Sequence, residues 1–202
     1  MDRDARIREL EQLRRQVQTL EGELAREGAA GQWPPGSYYT VYHVLAGCVL
    51  GMMGAATSLL FNVVGSLIAG LHPLHLIQVY LTFPLGQTAL NVDDGLTLAI
   101  GCCLYLATGM LLGIPFHLVL SRWFAGASFK SRFIVVSILA LFLWLLSFYA
   151  VLLWLQPLLF GGNWIVAGIP WWVAALTHLV FGWTMLLVQP WGIFVPYRQR
   201  AE

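Results

Sequence analysis

His72 and His75 flank Pro73–Leu74, and Asp93–Asp94 closes the same stretch of chain. Two imidazoles and two carboxylates on one side of a membrane are donors of the kind that bind zinc or another divalent cation. The pattern HPLH is not the HExxH of helical zinc sites, however, and Pro73 disrupts any helical face the two histidines would share. The plainer reading is structural. His72–Pro73 ends one helix, His75 sits among lipid headgroups, and Asp93–Asp94 caps the helix that follows, where carboxylates favour the N-terminal amides and dipole.

His43 and His117 form a second possible pair. Each falls a few residues inside the same boundary, one on the first and one on the second apolar helix, so their depths match. Two histidines across a bundle could hold a haem b, although no CxxCH attachment motif accompanies them. Asn62 and His178 are polar groups deep in apolar sequence, with Gln78 and Gln189 nearer its edges. Such groups face the bundle interior, and their ordinary role is one interhelical hydrogen bond of roughly 1 kcal/mol. The helix cores carry no Asp, Glu, Lys or Arg, which argues against an ion pump or a proton-coupled carrier. No GxSxG, no phosphate-cradling GxxxxGK[ST] and no acidic pair in a helix core is present, so no catalytic residue is assigned.

The elements that would position these groups are apolar helices. Hydrophobic residues make up 58% of the chain and charged residues 10%, far from the composition of a soluble domain. A net charge of +1 leaves no basic field for nucleic acid. Cys48, Cys102 and Cys103 all fall in apolar helices and read as small packing residues rather than as a disulfide or a metal site. No apolar core follows closely on the charged start, so the first apolar helix is expected to act as an uncleaved anchor.

The expected fold is all-α: a polytopic membrane protein with four transmembrane helices, at about 41–66, 95–120, 132–156 and 170–194, within a domain 41–194. Apolar character runs on from Val41 to Leu71, about 46 Å of helix at ~1.5 Å per residue, more than one span needs. Gly47, Gly51 and Ala55 repeat every fourth residue, and Gly109 and Gly113 do the same on the second helix, rows that allow close helix packing in lipid. The third helix is the most apolar and is expected to be the most lipid-exposed.

Residues 1–27 are predicted to form a cytoplasmic amphipathic helix. Leu10, Leu13, Val17, Leu20 and Leu24 step by three and four, a coiled-coil seam, with Glu9 and Arg14 placed to pair across a parallel dimer. Residues 28–40 form a Gly/Pro linker ending in an aromatic collar of Trp33, Tyr38, Tyr39 and Tyr42. Residues 71–94 are an outer connector, too apolar and too long to be structureless. A short helix lying at the outer interface between Pro73 and Pro84 is expected there. Residues 195–202 are a polar tail.

Charge sets the orientation. Arg3, Arg6, Arg8, Arg14, Arg15 and Arg26 precede the first span; Arg122, Lys130 and Arg132 lie between the second and third; Arg198 and Arg200 follow the fourth. That places every basic residue on one side, hence both termini in the cytoplasm of a cell (inner) membrane. A fifth span through Leu67–Ala89 would move Arg122, Lys130 and Arg132 outside. The composite reading is a non-enzymatic accessory, assembly or scaffolding protein. Its partners are the lipid bilayer and either a second copy or another subunit of a membrane complex, and it is expected to need no cofactor. Two other classes stay open: a redox subunit holding a metal ion or haem on the histidines, and a channel or carrier for a small neutral solute.

Overall fold

The computed structural model describes residues 3–26 and 36–193, with side chains from residue 40 onward and over most of 7–20. Among the described residues the chain is entirely helical and contains no strand. It divides into two compact units, Met1–Val41 and Tyr42–Glu202.

The first unit contains α1, Arg3–Arg26. Its seam residues Leu10, Leu13, Val17 and Leu20 are 50–58% exposed, so the apolar stripe that the heptad spacing dictates is uncovered. The side chain of Leu24, the linker through Trp33 and Pro34–Pro35, the rings of Tyr38 and Tyr39, and the tail beyond Ile193 lie outside the described residues.

Four helices are long and apolar enough to cross a membrane: Thr40–Ile68, Gly95–Arg122, Phe129–Phe160 and Trp171–Gly192. The first is most of α2 (Gly36–Ile68). α3 (His75–Leu85) and a 3₁₀ turn (Gly86–Asn91) connect it to α4 (Gly95–Arg122). The third consists of α5 (Phe129–Leu145), a π-helical stretch (Leu146–Leu152) and α6 (Leu153–Phe160). α7 (Trp164–Gly168) leads into α8 (Trp171–Val188). The 33-residue α2 accounts for the excess apolar length, and Gly70 at φ +68° turns the chain out of it.

Packing within the second unit follows small residues. The Gly47–Gly51–Ala55 row of α2 lies directly on the Gly109–Gly113 row of α4. A Cβ on Gly51 would come within 2.8 Å of Gly113 Cα, and one on Gly47 within 2.9 Å of Ile114 Cα, so only hydrogen fits. Gly182 of α8 plays the same part against Val136 and Ala140 of α5. Around these contacts Leu50, Phe116, Leu120, Val136, Phe181 and Met185 form the main core. The third span is the least enclosed, with 17% of its central window buried against 44% for the fourth. In lipid an apolar surface costs nothing to expose, so such a helix needs fewer neighbours.

The connector is packed rather than loose. Ile77, Val79 and Leu81 of α3 are fully or almost fully buried, against two smaller clusters that include Ala89 and Leu98 on one side and Phe148, Ile165 and Ala174 on the other. Pro73 precedes α3, where its missing N–H does least harm, and Pro84 falls in the last turn, where it removes one helical hydrogen bond as the helix ends.

Candidate functional site

At the connector end of the bundle, His72 and Asp93 meet, with Nε2 3.2 Å from Oδ1. The His72 ring orientation follows from its other edge. Nδ1 accepts the Leu74 amide at 3.1 Å, so Nε2 carries the proton and donates to the carboxylate. Asp93 is 86% exposed. Asp94 does separate work as the N-cap of α4, accepting from the Thr97 amide and hydroxyl at 2.8 Å each. Those two hydrogen bonds, the amide first, hold its carboxyl below the ordinary value of 3.8. His75 turns to Gln78, Nδ1 to Oε1 at 3.4 Å, and Gln78 donates to the Val92 carbonyl at 2.8 Å. Of the four candidate donors, two therefore touch. No group of three or more His, Cys, Asp or Glu is placed to hold a metal ion among the described residues.

At the opposite end, His43 Nδ1 lies 3.2 Å from His117 Nε2, with ring centroids 5.3 Å apart. One ring must donate and the other accept. A metal bound between these nitrogens would have to replace this hydrogen bond, and a haem would have to part the rings. His117, fully buried, also lies 3.3 Å from Ser121 Oγ. Gln189 Nε2 donates to Ser121 at 3.5 Å, while Arg132 donates to Gln189 Oε1. The result is a polar chain, His43–His117–Ser121–Gln189–Arg132, that ties all four spans together where the basic loop joins the second and third. The His117 Nδ1 and Arg132 Nε edges are buried without a partner in hydrogen-bonding geometry.

Between the two ends, Asn62 donates to the Ser58 carbonyl at 2.8 Å and to Thr177 Oγ at 2.9 Å, linking α2 to α8. His178 bonds its own helix, Nδ1 to the Ala174 carbonyl at 2.8 Å, and Phe148 meets its ring edge-on. Sequence reasoning marked both residues as interior polar groups. It did not mark Gln156, which is fully buried. Gln156 donates to Thr82 Oγ at 3.1 Å and accepts the Ile165 amide at 3.1 Å, fastening α6 to α3 and to the start of α7. The signal available was a lone Gln ahead of Pro157 in an otherwise apolar run.

Also unmarked was a cavity of about 550 Å³ among α2, α3, α4, the π-helical stretch and α8. Its walls are almost wholly apolar, and its few polar groups include Ser58, Tyr80, Tyr105, Thr108, Ser147 and His178. Tyr105 faces Ser58 at 2.9 Å and Tyr80 faces Thr108 at 2.6 Å. Comparison with known proteins finds no matching family, no matching curated protein and no matching solved structure.

The class that fold and site together define is a multi-pass helical membrane protein, all-α among the described residues. Its interior polar groups join helices to one another.

Proposed function

We propose that the protein is a non-enzymatic accessory or scaffolding component of a cell (inner) membrane, anchored by its four spans, which pairs with a second copy of itself through α1. The observation that carries this reading is the uncovered seam: Leu10, Leu13, Val17 and Leu20 each stay at least half exposed on a helix of 24 residues. A helix this short gains little from propensity alone and needs its apolar stripe covered. The three–four spacing is the one that knobs-into-holes pairing requires, and Glu9 and Arg14 flank the seam with opposite charges. Tethering in a bilayer raises the effective concentration of the arms, so a modest intrinsic affinity suffices.

The test is cross-linking in native membranes. Leu13→Cys, in a chain whose three cysteines are replaced by Ala, should form a disulfide-linked dimer on mild oxidation. Leu20→Asp added to that chain should reduce the yield at least about tenfold, because it places a charge in the seam. A yield unchanged by Leu20→Asp, or no dimer at all, would exclude α1 as the self-association element.

A further inference from the structure

The cavity between α3 and the spans has a chemical polarity that its apolar walls conceal. Each side-chain donor on the wall is already committed. Ser58 Oγ donates to the Ala55 carbonyl at 3.0 Å, so Tyr105 must be the donor in the Ser58–Tyr105 bond. Thr108 Oγ donates to the Leu104 carbonyl at 3.0 Å, so Tyr80 is the donor to Thr108. Ser147 donates to the Leu143 carbonyl at 2.6 Å and Thr177 to the Val173 carbonyl at 2.8 Å. His178 spends Nδ1–H on the Ala174 carbonyl, which leaves the lone pair of Nε2 without a partner among the described residues. Pro84, also on the wall, cannot supply the N–H that the Tyr80 carbonyl would otherwise meet in α3. Unused acceptors therefore outnumber unused donors on this wall.

Size, lining and helix geometry narrow the ligand class further. The volume of about 550 Å³ lies inside the ~300–1,000 Å³ range of small-molecule sites. The lining is too apolar to retain water, and no Asp, Glu, Lys or Arg contributes to it, so a charged head would be buried unpaired. One wall is the π-helical stretch Leu146–Leu152, a widening of the helix of a kind that recurs at functional sites. We propose that this cavity binds a neutral, membrane-dissolved lipophile with a hydroxyl head, which donates its hydrogen bond to His178 Nε2 while its apolar body fills the space between Tyr105, Phe148 and Phe181.

One atom, the hydroxyl hydrogen, distinguishes such a lipophile from an ordinary acyl chain in the same space. The probes are a long-chain primary alcohol carrying a mid-chain diazirine and its methyl ether, which keeps the oxygen but cannot donate. Both are photolysed with the full-length protein in lipid nanodiscs, and the labelled peptides are mapped. The alcohol should label α3, α4 and the Leu146–Leu152 stretch saturably, and the ether about five-fold less, the ratio expected for one net hydrogen bond. His178→Phe should bring the alcohol down to the ether's level. Val151→Trp, which enlarges a half-exposed wall residue into the cavity, should reduce both, and tryptophan-fluorescence melting checks that each variant is folded. Equal labelling by alcohol and ether in the unaltered protein would overturn the proposal without recourse to any variant. So would labelling that never saturates, or that Val151→Trp leaves unchanged, since the space then holds bulk lipid or a neighbouring helix.

Discussion

Asp94 and Gln156 show how differently a single polar side chain can act in this chain. Asp94 is exposed and works by charge: its carboxylate accepts from the first turn of α4, and its proton affinity is lowered in the folded state. A carboxyl with a depressed folded pKa adds stability above the unfolded value of 3.8 and loses it as pH falls through the folded value. Asp94→Asn keeps an acceptor but no charge. Its melting temperature in detergent should therefore lie below that of the unaltered protein at pH 7, and the gap should narrow as the pH falls below 3.8. Gln156 works by burial. Gln156→Leu strands the Ile165 amide and removes the donor to Thr82 Oγ, whose own proton stays on the Val79 carbonyl, at a cost of about 1–3 kcal/mol for a buried group left unpaired. Leu158→Ala, two residues on and 71% exposed, should change the melting temperature much less. Reversal of that order would mean Gln156 is not the clasp between α6 and α3.

At the scale of elements, the rows of small residues carry the argument. Gly47, Gly51 and Ala55 could be read in the sequence as a packing face, and so could Gly109 and Gly113, because a four-residue spacing maps onto one side of a helix by geometry alone. Their mutual contact follows once two adjacent helices each need a close partner. The π-helical stretch could not be read in the same way. LSFYAVL has no composition that marks it, and a helix widens there in response to what packs on both sides. The cavity was hidden for the same reason: its hydroxyls come from separate helices, and only their assembly makes one wall acceptor-rich. His72, His75, Asp93 and Asp94 could be grouped from the sequence because one connector holds all four, whereas which two meet, and the role of Gln78 in holding His75, needed the fold of α3. Gly51→Leu should disrupt the α2–α4 contact by several kcal/mol, since the backbone of Gly113 cannot yield as a flexible side chain would. Gly65→Ala, with nothing within 4 Å of the added carbon, should instead stabilise α2 by up to about 1 kcal/mol. Chemical unfolding of both variants in the same detergent tests the contrast.

For the whole molecule, the decisive quantity is where charge is permitted. Asn62–Thr177 and Gln156–Thr82 join helices of the second unit through neutral groups alone, and the His43–Arg132 chain meets a charge only at its Arg132 end. Charge is confined to the ends, and unevenly so. α3 and α7 both lie in connections that join successive spans at one end, and residues 69–94 and 161–170 there contain two aspartates and no Lys or Arg. The other end carries Arg122 in the last turn of α4 and Lys130 and Arg132 in the first turn of α5, on either side of the short loop that joins them. Short loops rich in Lys and Arg are retained in the cytoplasm, and carboxylates have little influence. The connector end is therefore expected to face outward. Gln87→Cys and Gly126→Cys, each exposed and each in the chain whose cysteines are replaced by Ala, report on the two ends. A membrane-impermeant maleimide applied to intact cells should label position 87 and not position 126, and lysis should make both reactive. Labelling of position 126 from outside would invert the orientation and remove the α1 seam from the compartment in which its pairing is proposed.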